Sequence, residues 1–257
     1  MYRLALSAAL VLSASVVVDA GALVDAATAQ PGFGYGTPGF VNSAAPADFS
    51  GATVAGEPSI GVNWQSGAAM YMAGTSTARL TFNNAPGVDP AVTWTDVSSP
   101  YSVFNLDPIL ATDHATGTTL AGGDNGACAV MSKTTTDGGF FDTGAWTPSV
   151  PCPFTADHPT VGMGPYVGTP PAGAAPFVTY FCQQTILDHC SHSTDGGLTW
   201  SPSVLATTCA GTFGHIKVSP DGTAYLPNVN CNDTAGDLVV GAMTSVDNGQ
   251  SWGGYGI

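Results

Sequence analysis

Ser193-Thr194-Asp195-Gly196-Gly197-Leu198-Thr199-Trp200 is the stretch that decides the fold. A hydroxyl residue, an aspartate and paired glycines have the chemistry of a hairpin turn: short polar side chains bond nearby backbone N–H groups, and glycine supplies a positive φ. The tryptophan then opens a new strand and packs its ring against a neighbouring sheet. The phrase returns as Ser245-Val246-Asp247-Asn248-Gly249-Gln250-Ser251-Trp252. Thr135-Thr136-Asp137-Gly138-Gly139 begins the same way, but Trp146 arrives four residues late. Asp89 to Trp94 keeps the spacing with Ala91 in place of the glycine. These four tryptophans lie 52, 54 and 52 residues apart, and only Trp64 falls outside the series. Such a period marks an array of similar units.

A second phrase keeps step with the first. It reads Glu57-Pro58-Ser59-Ile60-Gly61-Val62, then Asp107-Pro108-Ile109-Leu110-Ala111, then His158-Pro159-Thr160-Val161-Gly162, and finally His215-Ile216-Lys217-Val218 without the proline. Short turns follow, such as Asp113-His114-Ala115-Thr116-Gly117 and Ser219-Pro220-Asp221-Gly222. Second apolar strands come next, at 69–73, 118–121, 176–181 and 223–226. The unit is strand A, turn, strand B, loop, strand C, aspartate phrase, strand D. Four short antiparallel strands in each unit of this length make the blade of a β-propeller.

The expected fold is therefore all-β, with about four blades over 57–106, 107–157, 158–213 and 214–257. The D strands should begin near Trp94, Trp146, Trp200 and Trp252. No convincing helical period follows residue 30, and 33 glycines and 19 prolines suit strands and turns. The last unit reaches only Gly253–Ile257 beyond its tryptophan, so the array reads as part of a larger propeller. The alternative is that residues 38–42 supply a missing strand.

The pattern S-x-D-x-G-x-x-W resembles the Asp box of the sialidase-like (BNR-repeat) superfamily, and the resemblance spans about residues 57–252. It implies that Asp89, Asp137, Asp195 and Asp247, with Trp94, Trp146, Trp200 and Trp252, are structural. It also implies that any active site lies on the opposite face, among the starts of the A strands and the B–C loops. A sialidase needs an arginine triad to clamp the substrate carboxylate, a tyrosine nucleophile with a glutamate partner, and an aspartate acid/base. Beyond residue 29 this chain has one arginine, Arg79, and one glutamate, Glu57. The family's F/Y-R-I-P phrase is absent, and Gly56-Glu57-Pro58-Ser59-Ile60 sets a carboxylate where the arginine is needed. The chain as it stands does not fit a typical sialidase.

Residues 1–29 read as a signal peptide: Tyr2 and Arg3 precede an apolar run from Leu4 to Val18, and Ala27-Thr28-Ala29 offers a cleavage site before Gln30. Asp19 and Asp25 interrupt what a membrane anchor would need. Residues 30–56 form a Gly- and Pro-rich segment with the composition of a linker. The remaining chain carries 3 basic and 16 acidic residues. It cannot neutralise a phosphate backbone and is repelled by anionic lipid, which argues against nucleic-acid and membrane partners. In a secreted chain the six cysteines, Cys128, Cys152, Cys182, Cys190, Cys209 and Cys231, form three disulfides. Of fifteen possible pairings, nearest neighbours (128–152, 182–190 and 209–231) are the economical expectation. All six should sit in loops of the functional face.

The candidate site is the ring of polar residues opening each strand A: Glu57, Asp107, Asp157 with His158, and His215. Gathered at one channel mouth, neighbouring carboxylates would raise at least one pKa, and nearby imidazoles would favour the charged form. Such a cluster could act as general acid and base on a sugar, bond glycan hydroxyls, or hold a divalent cation through oxygens. The plainer role is to start strands by bonding adjacent backbone N–H groups. Asp124, Asn125, Gln183, Gln184, Asp188, Asn228 and Asn230 in the B–C loops would add polar contacts. No H-E-x-x-H or G-x-S-x-G motif and no phosphate-binding glycine loop is present. His114 falls in an A–B turn, and His189 and His192 flank Cys190, so these histidines read as structural. Two functions fit: recognition of a glycan or extracellular protein, or glycoside hydrolysis by the carboxylate/histidine cluster.

Overall fold

The computed structural model describes residues 42–53, 56–64, 66–83, 91–103, 107–124, 129–134, 146–151, 157–184, 187–207, 209 and 213–256. Contacts separate Met1–Asn42, of which Asn42 alone is described, from a compact unit formed by Ser43–Ile257. Among the described residues of that unit the single helical element is a 3-10 turn, Ser50–Ala52.

Four antiparallel sheets of four strands account for the rest. The first holds β1 (Ser59–Val62), β2 (Ala69–Ala73), β3 (Ser76–Asn83) and β4 (Ala91–Asp96). The second holds β5 (Ile109–Thr112), β6 (Thr119–Asp124), β7 (Ala129–Thr134) and β8 (Trp146–Ser149). The third is β9 (Asp157–Gly164), β10 (Val178–Gln184), β11 (Asp188–Ser193) and β12 (Val204–Leu205). The fourth is β13 (Lys217–Val218), β14 (Ala224–Asn232), β15 (Leu238–Ser245) and β16 (Gly253–Gly256). In every sheet the spatial order follows the chain, so each strand pairs with its sequence neighbour. Antiparallel order sends the A–B turns and C–D connections to one end of each sheet, and the strand A starts and B–C connections to the other.

Successive sheets pack through their inner strands, β1 with β5, β5 with β9 and β9 with β13. One apolar layer separates each pair. Met70 and Met72 meet Leu110, Ala121 and Trp146 between sheets one and two. Ile109, Leu120 and Met131 meet Val161, Phe181 and Trp200 between sheets two and three. Val178 and Tyr180 meet Ile216, Leu226, Met243 and Trp252 between sheets three and four. A tryptophan thus stands in each of these three layers. Full burial of one leucine, isoleucine, methionine or phenylalanine of such a layer contributes roughly 1.5–3 kcal/mol. Trp146 also donates its indole N–H to the Val97 carbonyl at 2.7 Å, and Trp200 donates to Ser149 Oγ at 3.2 Å.

Among the described residues no earlier sheet precedes Trp94 in the chain. Its layer is filled instead by Phe49, Ala45 and Ala52 together with Tyr71 and Leu80, and its indole N–H reaches Ser43 Oγ at 3.4 Å. Phe49 is only 7% exposed. Ser43–Ala52, drawn from the Gly/Pro-rich stretch, covers the outer face of sheet one.

The two clearest aspartate phrases fold alike. Ser193 Oγ accepts the Gly197 N–H at 2.8 Å, and Asp195 Oδ1 accepts the Leu198 and Thr199 N–H groups at 2.9 Å. Ser245 Oγ accepts Gly249 N–H at 2.8 Å, and Asp247 Oδ1 accepts Ser251 N–H at 2.9 Å. Burial opposes charge on these carboxylates, but the hydrogen bonds outweigh it and hold both pKa values below the ordinary range. Asp89 and Asp137 lie outside the described residues, as do residues 38–41.

Two expectations about position need correction. Strand D does not uniformly begin at the tryptophan: Trp94 lies inside β4, and Trp200 precedes β12. Nor are the cysteines all in loops. Cys182 and Cys190 are directly opposite one another in β10 and β11, and Cys231 lies in β14. These strands run further toward the B–C end than their apolar stretches indicate, because ladder pairing continues through polar residues such as Gln183, Gln184 and Asn228. The disulfides Cys182–Cys190 and Cys209–Cys231 are formed; Cys128 and Cys152 lie outside the described residues.

Candidate functional site

A small pocket opens where the A strands begin. Glu57, Pro58 and Ser59 line it from the first repeat, Asp107 and Pro108 from the second, His158 and Pro159 from the third, and His215 from the fourth. Its volume is about 100 Å³. The four sheets therefore bring Glu57, Asp107, His158 and His215 together. Asp157, exposed beside them, accepts the His158 N–H on Oδ1 at 3.0 Å.

Hydroxyl residues at the pocket and beside it tie adjacent sheets together. Ser59 Oγ accepts the Leu110 N–H at 2.9 Å, and Thr160 Oγ1 accepts the Ile216 N–H at 3.1 Å. Each is the residue after the proline in its strand A phrase, and each bonds the first turn of chain into the next sheet. Thr160 Oγ1 also lies 3.4 Å from His215 Nδ1. The phrase thus has an architectural function at its Ser or Thr and leaves the acidic or histidine position facing the pocket.

His158 is the unusual member. Its φ of 55° is in the left-handed region, which a non-glycine residue seldom occupies. Its ring stands edge-on to Phe213 with centroids 5.2 Å apart and planes at 90°. Its Nδ1 is buried with no hydrogen-bond partner among the described residues. Backbone strain of this kind costs on the order of 1–3 kcal/mol and concentrates at functional positions.

The electrostatics follow from crowding. Desolvation raises the Asp107 pKa, Glu57 and then Asp157 raise it further, and His158 opposes them. His215 moves against the sequence expectation: its pKa is lowered, first by desolvation and then by Lys217 and His158, with Glu57 acting the other way. Burial outweighs the nearby carboxylate for this imidazole.

Gln183, Gln184, Asp188, Asn228 and Asn230 are not among the described residues that line this pocket, and they belong to strands rather than loops. Gln183 and Gln184 lie in β10, Asp188 in β11, and Asn228 and Asn230 in β14, while Asp124 ends β6. Asn125 lies outside the described residues. Asn228 Nδ2 donates to Asp188 Oδ2 at 2.6 Å between sheets three and four, and both residues are buried. Burial raises the Asp188 pKa, although the Asn228 bond and nearby His189 and His158 oppose the rise. Gln183 Oε1, Asp188 Oδ1 and Asn228 Oδ1 have no partner among the described residues. No group of three His, Cys, Asp or Glu side chains is placed to hold a metal ion among those residues, and none of their helices is long and apolar enough to cross a membrane.

No protein-family model matches the chain, and no curated protein matches it. Among solved structures it is similar to a mutant of NanB sialidase from Streptococcus pneumoniae, with 15% sequence identity and a TM-score of 0.41. The match covers 74% of this chain and 29% of that one, so the chain spans less than a third of that sialidase's length.

Proposed function

We propose that this chain is a secreted Asp-box propeller, or part of a larger one, whose strand A pocket recognises a glycan free or borne on an extracellular protein. The observation that carries the reading is the convergence of Glu57, Asp107, His158 and His215 from four successive sheets on one pocket. Carboxylates and imidazoles offer both acceptors and donors to sugar hydroxyls. The left-handed backbone at His158 and the proline after three of the four positions hold these groups in place before a ligand arrives, which lowers the cost of binding. Secretion is supported by the leader pattern of residues 1–29 and by the two disulfides, which persist in oxidising compartments.

The test is the double variant Glu57→Gln with Asp107→Asn, which keeps shape and removes charge. Screened on a glycan array and then by calorimetry, it should bind at least tenfold more weakly than the unmodified chain, about 1.4 kcal/mol. An unchanged binding profile would reduce the pocket to architecture.

One observation favours hydrolysis as a second reading: Asp107, whose pKa is raised first by desolvation, lines the same pocket as a second carboxylate, Glu57. A pair of carboxyl groups, one of them held toward its protonated form, is the set that glycoside hydrolysis uses. Aryl glycosides turned over by the chain and not by Asp107→Asn would establish it. A fluorogenic sialoside should stay intact, because one arginine cannot form the carboxylate clamp.

A further inference from the structure

The opposite end of the sheets carries a second set of equivalent positions, in the A–B turns. Asn63, Trp64, Ser66, Gly67 and Ala68 join β1 to β2, and Asp113 to Thr118 join β5 to β6. The two turns have one construction. Asn63 and Asp113 are buried at their bases. Their N–H groups donate to Ala68 O at 2.9 Å and Thr118 O at 2.8 Å, and their carbonyls accept from Gly67 and Gly117 at 2.8 and 2.9 Å. Their side-chain oxygens accept the N–H of Ser66 at 3.2 Å and of Thr116 at 2.7 Å. Gly67 and Gly117 close them with φ of 70° and 72°. Trp64 and His114 are therefore the same position in adjacent repeats, held out on matched rigid hairpins.

The consequence is an aromatic pair. The Trp64 and His114 rings lie 5.6 Å apart with planes tilted by 44°. Trp64 is 70% exposed, and His114 is exposed beside it. Single exposed apolar residues are ordinary, but two aligned rings from different sheets form a surface. The third sheet does not repeat it: Tyr166, at the corresponding connection, is 6% exposed and donates its hydroxyl to Thr194 O. The fourth sheet turns through Ser219-Pro220-Asp221-Gly222, which has no ring. Trp64 is also the one tryptophan that belongs to no inter-sheet layer and no aspartate phrase.

We infer that Trp64 and His114 form a second binding platform, for a neutral pyranose ring, on the face opposite the strand A pocket. The indole face presents a flat apolar surface and negative π density to the C–H face of a sugar. The tilted imidazole closes one side of the notch, and its ring nitrogens can serve a sugar hydroxyl as donor and acceptor. The nearest carboxylate in these turns, on Asp113, already accepts from the Thr116 N–H and hydroxyl. Among the described residues of these two turns no lysine or arginine side chain is present for pairing with an acidic sugar, and the chain's net charge of −14 opposes one. The platform and the pocket sit at opposite ends of β1, roughly 15 Å apart at about 3.3 Å per residue.

Tryptophan fluorescence tests this directly. Titration with maltoheptaose, cellohexaose, chitohexaose and laminarihexaose should blue-shift or quench the red-edge emission of Trp64 for at least one of them. By calorimetry, which does not depend on the indole as reporter, Trp64→Ala should abolish binding of that sugar and Trp64→Phe retain part of it. His114→Ala should weaken it severalfold. Thermal midpoints should not change, because these side chains are exposed. The Glu57→Gln, Asp107→Asn variant should respond like the unmodified chain, which separates this platform from the pocket. Calorimetric binding that survives Trp64→Ala would overturn the inference, as would no response of the unmodified chain to any of the four sugars at about 10 mM, a Kd equivalent to about −2.7 kcal/mol. Quenching by a proline-rich peptide without quenching by sugar would reassign the platform to peptide recognition and overturn it equally.

Discussion

Asp195 and Asp247 illustrate how one side chain fixes a turn. Each carboxylate gathers N–H and hydroxyl donors from up to four residues ahead, and each has a folded pKa below its ordinary value. A depressed carboxyl adds stability above the unfolded pKa, near 4, and loses it as pH falls through the folded value. Asp195→Asn with Asp247→Asn should therefore lower the melting temperature at pH 7. Below about pH 4 the gap to the unmodified chain should shrink, as circular dichroism melts between pH 7 and 2 would show. Parallel profiles would mean that these carboxylates do not stabilise by charge. Glycine makes a sharper case. Gly222 has φ of 91°, and an added Cβ would sit 2.4 Å from Val167 N and 2.5 Å from Tyr166 C, both backbone atoms. Gly236, at φ 89°, has nothing within 4 Å of that position. Gly222→Ala should cost well over the ~1 kcal/mol of a backbone penalty alone, and Gly236→Ala about that 1 kcal/mol. Urea titration of the two variants checks the ordering.

At the scale of elements, the burial of a strand reflects how many layers touch its sheet. β10 lies between two layers and is buried at six successive positions, Val178 to Gln183. β14 has a layer on one side and alternates, with Ala224, Leu226 and Asn228 buried and Tyr225, Pro227 and Val229 exposed. Sheet one would also be one-sided if Ser43–Ala52 did not cover it. Phe49 packs on Tyr71 and Trp94 with centroids 6.3 and 6.0 Å away, and Ser50 bonds Ser76 through their hydroxyls. Phe49→Ala should destabilise by about 3–5 kcal/mol, as for other buried aromatic truncations. It should also increase Trp94 accessibility to iodide. A loss under 1 kcal/mol, well below that range, would show that the segment lies loosely on the sheet.

Among the described residues, the substantial inter-sheet contacts run from each sheet to the next. Stability in such an arrangement is close to a sum of unit and nearest-neighbour terms, so disturbance should stay local. Leu226, fully buried between sheets three and four, provides the test. Leu226→Ala should speed amide hydrogen exchange in sheets three and four by at least tenfold, about 1.4 kcal/mol, while sheet one changes little. Uniform acceleration would indicate a single cooperative unit in which the first and last sheets are coupled.

The sequence by itself determined the repeat, the all-β character and the position of the turns. Those features are local: Ser193, Asp195 and Gly197 complete their bonds within four residues, so their spacing is their structure. It also put Glu57, Asp107, His158 and His215 at equivalent places, and repetition carried them into one pocket. Only the tertiary structure decided what depends on pairs some fifty residues apart. The bonds from Ser59 to Leu110 and Thr160 to Ile216, the depressed pKa of His215, the covering of Trp94 by Phe49 and the meeting of Trp64 with His114 all arise from how one sheet seats on the next. The physical reason is that packing and desolvation are set by the neighbouring layer, whose distance and register are written in no single repeat.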